Sequence, residues 1–494
     1  MIVPISISIE ELNLPTLFPM MIAIMGALVI LCIDLFTKNL DKKLYVMLTV
    51  LVLLIDLGAV IGYGGLTRGF FDVMLVDGIA ILTQIIIIIA SILFVLLTLS
   101  KQKFHEYKYP EYFALFLFMT AGYQFMVASD NLILIFVGLE TGSLALYTLI
   151  AMHNRDKSTE AAIKYFTMGA VAASFIAFGS MIFYALTGSV ELGQISEVLV
   201  SNDFSNYPLV LVGVVFILGG LGFKLSLVPF HTWAPDVYEG ANSALAGYMS
   251  VVPKIATFVV ALRFFEIFIS VQNTWVDLIL YIIVVATMTV ANMAALIQKD
   301  VKRMLAFSSI SHAGFVMGAI LVGTSQATQG LFLYWILFAF TNFGAFALLW
   351  ANRSKEHYGY ESDHPFERFA GLIKTSPMVA ITMGLFMLSL AGIPPFSLFW
   401  GKMFLLSATI NADYIILAII MALNSAIAVY YYLKLIVYMF LKEAKSTNHT
   451  VSMDNSSQSS KTLILIASFL SVSAIFYIDP LLEMINMYVE ISGY

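Results

Sequence analysis

Apolar runs recur along the whole chain, each long enough to cross a hydrocarbon core about 30 Å thick. Short polar stretches separate fourteen of them, at about 15–36, 44–63, 76–99, 111–128, 131–152, 161–187, 208–229, 241–268, 275–297, 303–322, 328–350, 374–410, 413–441 and 461–478. None shows the short two-residue alternation of an outer-membrane barrel. The pattern predicts an all-α polytopic membrane protein with about fourteen transmembrane helices. Two runs are interrupted. The seventh ends in "KLSLVPFH" and the twelfth contains "AGIPPFSLFWGKM". Proline removes a helix hydrogen bond and clashes with the preceding turn, so both helices should break there. Broken backbone at membrane depth is tolerated only inside protein or beside a water-filled cavity. Matching interruptions in two halves of a transporter point to inverted repeats around an ion path. Spans four to eight and nine to thirteen would be the two five-helix units, each with one broken helix. Five is odd, so the second unit enters the membrane upside down. The expected segments are therefore 1–109 (three helices), 110–270 and 271–441 (the repeats), and 442–494 (a loop and the last helix).

Charge supports the count. Only 11% of the 494 residues are charged and 60% are hydrophobic, whereas soluble proteins carry about 25% charged residues. Nineteen of the 25 lysines and arginines fall in alternate loops: around Lys38 to Lys43, Lys101 to Lys108, Arg155 to Lys164, Lys299 to Arg303, Arg353 to Lys374, and Lys442 to Lys461. The intervening loops hold only Arg68. Such asymmetry places the basic loops in the cytoplasm and both termini on the outer side of a bacterial inner membrane. The start, "MIVPISISIEEL", lacks the basic n-region of a signal peptide, so no cleavage is expected. The single cysteine, Cys32, can neither ligate an iron–sulfur cluster nor close an internal disulfide. The "GK" at Gly401-Lys402 has Phe396 where a phosphate-binding loop needs glycine. No metal or nucleotide site is expected, nor a nucleic-acid partner; the bilayer is the partner that composition demands.

Against that background, ionisable groups inside spans are the informative residues. Each costs about 2.5–3.5 kcal/mol on insertion scales and so needs a partner or a watery path. Glu140 lies nine residues after Asn131, about 13 Å into its span at 1.5 Å per residue. Lys224 precedes the break in span seven, Lys254 follows Pro253 in span eight, and Lys402 follows the break in span twelve. Lys434 is nearer the cytoplasmic end, where snorkelling competes with function. His312 sits among small residues in "FSSISHAGF" and is either a packing group or a relay. Asp56 and Glu266 read as structural or interfacial. The chemistry this set offers is proton transfer. Moving one charge against roughly 150 mV costs about 3.5 kcal/mol, or about 2.5 pKa units. A lysine that a carboxylate approaches and leaves swings its proton affinity by that much.

Three stretches carry a resemblance. "GFKLSLVPFHTWAPDVYEGA" (222–241) with Lys254 beyond it, "KDVKRMLAFSSISHAGF" (299–315) and "AGIPPFSLFWGKMFLL" (391–406) resemble the antiporter-like proton-translocating subunits of respiratory complex I and of Mrp-type cation/proton antiporters. The likeness runs from about Pro110 to Phe440. It implies a membrane subunit of a proton-pumping NADH dehydrogenase, or alternatively of a Na⁺/H⁺ antiporter without redox partners. It implies proton-handling roles for Glu140, Lys224, Lys254 and Lys402, and other membrane subunits as partners. NADH, FMN, iron–sulfur clusters and quinone would lie on those partners. After "DVYEG" the family usually shows prolines, where this chain has Ala241-Asn-Ser-Ala-Leu245. Leu398 stands where glycine is usual.

Overall fold

The computed structural model describes residues 12–37, 41–100, 106–202, 207–352, 364–443 and 455–493. The N-terminal part contains α1 (Phe18–Phe36), α2 (Lys42–Ile61), a hairpin of β1 (Thr67–Gly69) and β2 (Met74–Val76), then α3 (Gly78–Leu97). Next come α4 (Pro110–Val127), α5 (Leu132–Ala151), α6 (Asp156–Thr187), α7 (Leu192–Ser201), α8 (Tyr207–Leu225), α9 (Trp233–Gly240), α10 (Ser243–Met249) and α11 (Val252–Ile269). The second half has α12 (Thr274–Leu296), α13 (Val301–Val322), α14 (Ser325–Ala351), α15 (Leu372–Thr375), α16 (Pro377–Ala391), α17 (Ser397–Asn411) and α18 (Ile415–Phe440). The chain closes with α19 (Gln458–Val472) and α20 (Ala474–Ile491). Among the described residues, ten helices are long and apolar enough to cross a bilayer unaided, and the bent pair α19–α20 would make an eleventh. The basic positions Lys38, Lys101, Lys103, Arg353, Lys355 and Lys445, and the first eleven residues, lie outside the described residues.

Both predicted breaks are present, and their backbone groups are satisfied as burial requires. α8 ends at Leu225, and Ser226 turns the chain with φ +60°. Trp233 Nε1 reaches back to donate to the Phe223 carbonyl at 2.9 Å, and Val228 N donates to Thr287 Oγ1 at 3.0 Å. α16 ends at Gly392, whose φ of +79° suits a residue without Cβ. A Cβ there would also sit 2.7 Å from Lys402 Cδ, so the same glycine makes room for the lysine.

Three features differ from expectation. Span eight is divided into α10 and α11 just before Pro253 rather than merely kinked. The run expected as one last helix is broken after Val472, where α19 and α20 meet at 85°. Ser468 and Ser471 hydroxyls bond back to the carbonyls of Ile464 and Ala467, competing with the helix ladder, and Tyr477 OH binds the Leu470 carbonyl across the elbow. The β-hairpin breaks the all-helical expectation. It pairs Thr67 with Val76 and Gly69 with Met74, and its Arg68 binds Asp130 at 2.7 Å.

Packing sets the site at the centre. α13 and α14 are almost wholly enclosed, while α1, α2, α12 and α18 turn broad apolar faces outward. Arg263, left over from the loop pattern, is buried and bonded to Asp77 Oδ1 and the Ser129 carbonyl, each at 2.7 Å, which fastens α11 to the start of α3.

Candidate functional site

Lys224 occupies the last turn of α8, directly before the break, and is buried. Its ammonium donates to Ser143 Oγ at 2.6 Å and to Tyr147 OH at 3.2 Å. The rings of Tyr147, Tyr165 and Phe223 surround it at 5.6–5.7 Å. Glu140, Ser143 and Tyr147 follow one another at i, i+3 and i+7 on one face of α5, so the carboxylate and both lysine partners share a stripe. Glu140 is half-buried and couples electrostatically to Lys224. No ion pair within 4.0 Å joins them, and Glu140 Oε1 has no hydrogen-bond partner. Trp233 stacks flat on Tyr165, 4.3 Å between centroids, and covers the lysine's chamber at the break.

Lys254 sits one turn beyond the α10–α11 break and donates to Ser309 at both its carbonyl (3.0 Å) and its hydroxyl (2.9 Å). A second hydrogen-bonded group begins at the next residue of α13. Ser308, next in sequence to Ser309, bonds Tyr432 OH, and the same hydroxyl bonds His312 Nε2 at 2.9 Å. On the other ring nitrogen, Tyr334 OH lies 2.6 Å from His312 Nδ1. A neutral imidazole donates from one nitrogen and accepts at the other, and tyrosine hydroxyls do either. His312, buried between two hydroxyls, can therefore pass a proton in both directions, and the charges of both Lys254 and Lys402 act on it. Lys402 is buried, with its ammonium on the carbonyls of Leu390 (3.3 Å) and Ala391 (2.9 Å), the open C-terminal end of α16. That end carries the negative pole of the half-helix, which suits a cation. Gly401, beside Lys402, packs against the backbone and ring of Tyr334.

Thus Lys254, His312 and Lys402 share one buried interior, and Lys224 is buried against α5 beside Glu140. Lys434 does not share it. Its ammonium caps α12 through the carbonyls of Leu296 (3.4 Å) and Gln298 (2.9 Å) and rests 4.7 Å from the centroid of the Phe366 ring. Asp56 takes Gln124 Nε2 on both oxygens, at 3.0 and 2.9 Å, away from the lysines. The sequence did not single out Ser143, Tyr147, Ser308, Ser309, Tyr334 or Tyr432. The one available signal was spacing: Ser143 and Tyr147 lie at helical intervals from Glu140, and Ser308 and Ser309 lie one turn before His312.

Beyond the break, an ion-pair clasp holds the far limb of the broken helix. Arg303 on α13 binds Asp236 Oδ1 and Glu239 Oε2 of α9, each at 2.8 Å. Lys164 of α6 reaches Asp236 at 3.2 Å, and Lys157 reaches Glu239 at 3.5 Å. Burial alone would raise the Asp236 carboxyl, but hydrogen bonds from Arg303 and Lys164 outweigh it and hold the group below the usual carboxylate range. Asn242, at the departure from the family pattern, caps α10 by accepting from Leu245 N at 2.7 Å, and Ser243 bonds His364 at 3.2 Å.

The transmembrane family model described as NADH:quinone oxidoreductase/Mrp antiporter matches residues 129–428. A protein of Sulfurimonas denitrificans named NADH-quinone oxidoreductase subunit N is 60% identical, with 100% of each chain covered. One of the same name from a Sulfurovum species is 56% identical, again over 100% of both. Among solved structures, a chain of respiratory complex I from Thermus thermophilus with bound aureothin superposes with a TM-score of 0.78 at 27% identity, over 94% of this chain and 98% of that one. A chain of the Mrp complex from a Dietzia species has a TM-score of 0.82 at 19% identity, covering 97% of each, and shares the fold.

Proposed function

We infer what this chain does from the family it belongs to, the NADH:quinone oxidoreductase/Mrp antiporter transmembrane family. It is a proton-translocating membrane subunit of NADH-quinone oxidoreductase, corresponding to subunit N, and works within an assembly of other membrane subunits. The enzyme activity belongs to the complex. NADH, flavin, iron–sulfur clusters and quinone are assigned to the partners, and this chain's contribution is to hold and move protons.

The observation that carries the mechanism is the hydrogen-bonded series Ser308–Tyr432–His312–Tyr334, which starts beside Ser309, the residue that holds Lys254. Lys224 receives a proton from the cytoplasmic side through the break in span seven. When Glu140 approaches, its carboxylate stabilises the ammonium; when Glu140 withdraws, the ammonium is destabilised and the proton moves on to Lys254. The Ser–Tyr–His–Tyr series hands it to Lys402, seated on the open end of α16. Release from Lys402 to the outer side completes the transfer. The swing required, about 3.5 kcal/mol against roughly 150 mV, lies within what a moving carboxylate supplies in a low-dielectric interior. Lys434, outside this series, is assigned to capping α12.

The same reading takes the chain as fourteen spans with both termini on the outer face of the bacterial inner membrane, and residues 110–270 and 271–441 as inverted repeats. Pairwise packing supports it: α4 lies along α5 and α6 along both limbs of its broken span (α8, α9), as α12 lies along α13 and α14 along both limbs of the other (α16, α17). The alternative, a Na⁺/H⁺ antiporter subunit without redox partners, rests on likeness of fold, whereas the subunit N relatives match at up to 60% identity over full length. Sodium-dependent transport in vesicles without NADH would favour it. The decisive experiment is Lys224→Ala in the assembled complex. Proton pumping is expected to vanish while the complex still assembles; full pumping by that complex would refute the assignment.

A further inference from the structure

Four hydroxyls from four different helices meet beside the break in span twelve. Thr341 Oγ1 of α14 lies 3.2 Å from Ser389 Oγ of α16, 3.1 Å from Ser397 Oγ of α17 and 3.1 Å from Ser471 Oγ of α19. Ser389 and Ser397 are 2.9 Å apart. All four residues are buried, at 0–1% exposure. Thr341 Oγ1 also lies 3.1 Å from the Leu337 carbonyl. A hydroxyl donates once and accepts twice, so these four neighbours exceed what one oxygen can bind at a time. The network must therefore exchange between alternative patterns by hydroxyl rotation, which is the property a proton wire needs.

Its position gives it a source and an outlet. Ser389 directly precedes Leu390, whose carbonyl seats the Lys402 ammonium, and Ser397 opens the helix that carries Lys402. The lysine stem points back toward the N-terminal end of α17, as helical side chains do, and so reaches over the break. At the other end, Ser471 stands two residues before Ser473, at the elbow of α19 and α20. Ser473 Oγ is buried and has no hydrogen-bond partner in the protein. A cavity of about 250 Å³ flanks this route, touching Phe340, Phe343 and Leu470, and its lining is apolar. Such a lining offers water few partners, so on this side the hydroxyls supply the polar connection between the lysine and the elbow.

We propose that Ser397, Ser389, Thr341 and Ser471 form the proton-release relay from Lys402, which makes the last helix a participant in translocation. This rests on the reading of Lys402 as the release site. The Lys402 ammonium gives one proton to a serine oxygen as that serine's own O–H proton passes to Thr341. Thr341 passes its proton to Ser471, and Ser471 to a water at the Ser473 elbow. One proton leaves, Lys402 is neutral, and each hydroxyl recovers its starting orientation by rotation.

A purely structural role, hydroxyls holding helices together, makes a different prediction. The test compares Ser471→Ala, Ser397→Ala and Thr341→Val with Ser471→Thr and Thr341→Ser in the whole complex, reconstituted in vesicles. Assembly, proton uptake per NADH oxidised, and the solvent deuterium isotope effect on uptake are measured. The relay predicts that variants lacking a hydroxyl assemble but lose most of their proton uptake, with an altered isotope effect, while those retaining it pump. Wild-type uptake and isotope effect in assembled Ser471→Ala and Thr341→Val would overturn the proposal, as would failure of all three hydroxyl-lacking variants to assemble. Lys402→Ala separates the two levels. If it pumps normally the assignment of Lys402 fails; if it is dead while the hydroxyl-lacking variants pump, only the relay fails.

Discussion

At the scale of single residues, the functional burden falls on groups that composition hides. Four lysines and one glutamate inside spans stood out because charge in hydrocarbon is costly. The tyrosines could not stand out the same way. The chain has 24 of them, and an aromatic in an apolar span reads as packing until its hydroxyl is located. Tyr432 is the clearest case, joining Ser308 to His312 Nε2. Its neighbour Tyr431 lies beside it, 4.5 Å between ring centroids, but donates to Asn292 Oδ1 at 3.0 Å and does not bond His312. The pair gives a controlled comparison. Tyr432→Phe removes the hydroxyl that carries the proton and leaves a buried histidine nitrogen short of a partner, costing about 1–3 kcal/mol. Proton uptake per NADH oxidised is expected to fall sharply in that complex and to remain near wild type in Tyr431→Phe. Equal uptake in both would remove Tyr432 from the path.

At the scale of elements, the breaks in spans seven and twelve were legible because proline and glycine announce them, and the lysines beside them followed. The elbow after Val472 was not, because serine back-bonding and a tyrosine cap leave no distinctive sequence signal. The clasp on α9 was half legible. Its charges were visible, but the loop pattern assigned Lys164 and Arg303 to topology, and only packing shows both on one carboxylate. The clasp fixes the far limb of the broken helix against α6 and α13, so it positions Trp233 over the Lys224 chamber. Because the Asp236 carboxyl is held low, its contribution is complete above the ordinary aspartate pKa of about 3.9. It is lost as pH falls through the lower folded value. Asp236→Asn should therefore flatten the loss of thermal stability of the purified complex below about pH 4, relative to wild type. Arg303→Gln should lower stability at neutral pH by about 1 kcal/mol, since these pairs are partly solvated. A wild-type acid profile in Asp236→Asn would show that another group governs it.

At the scale of the whole molecule, function depends on orientation, because a proton path has a direction. Two odd-numbered units in series place the break in span seven and the break in span twelve in opposite senses: Lys224 precedes its break and Lys402 follows its own. On the proposed topology each lysine lies on the outer limb of its broken span, so the first break would open toward the cytoplasmic supply and the second would seat the last proton holder. If the orientation were reversed, the clasp of Arg303, Lys164 and Lys157 would face the outside, against the charge rule that places such clusters in the cytoplasm. The arrangement can be checked directly. Cys32 is the only cysteine, so a Cys32→Ser background accepts single reporters. Gln272→Cys, between α11 and α12, should react with a membrane-impermeant maleimide added to intact spheroplasts. Lys442→Cys, after α18, should react only once the membrane is opened. Labelling of Lys442→Cys from outside, with Gln272→Cys protected, would invert the path and with it the roles of Lys224 and Lys402.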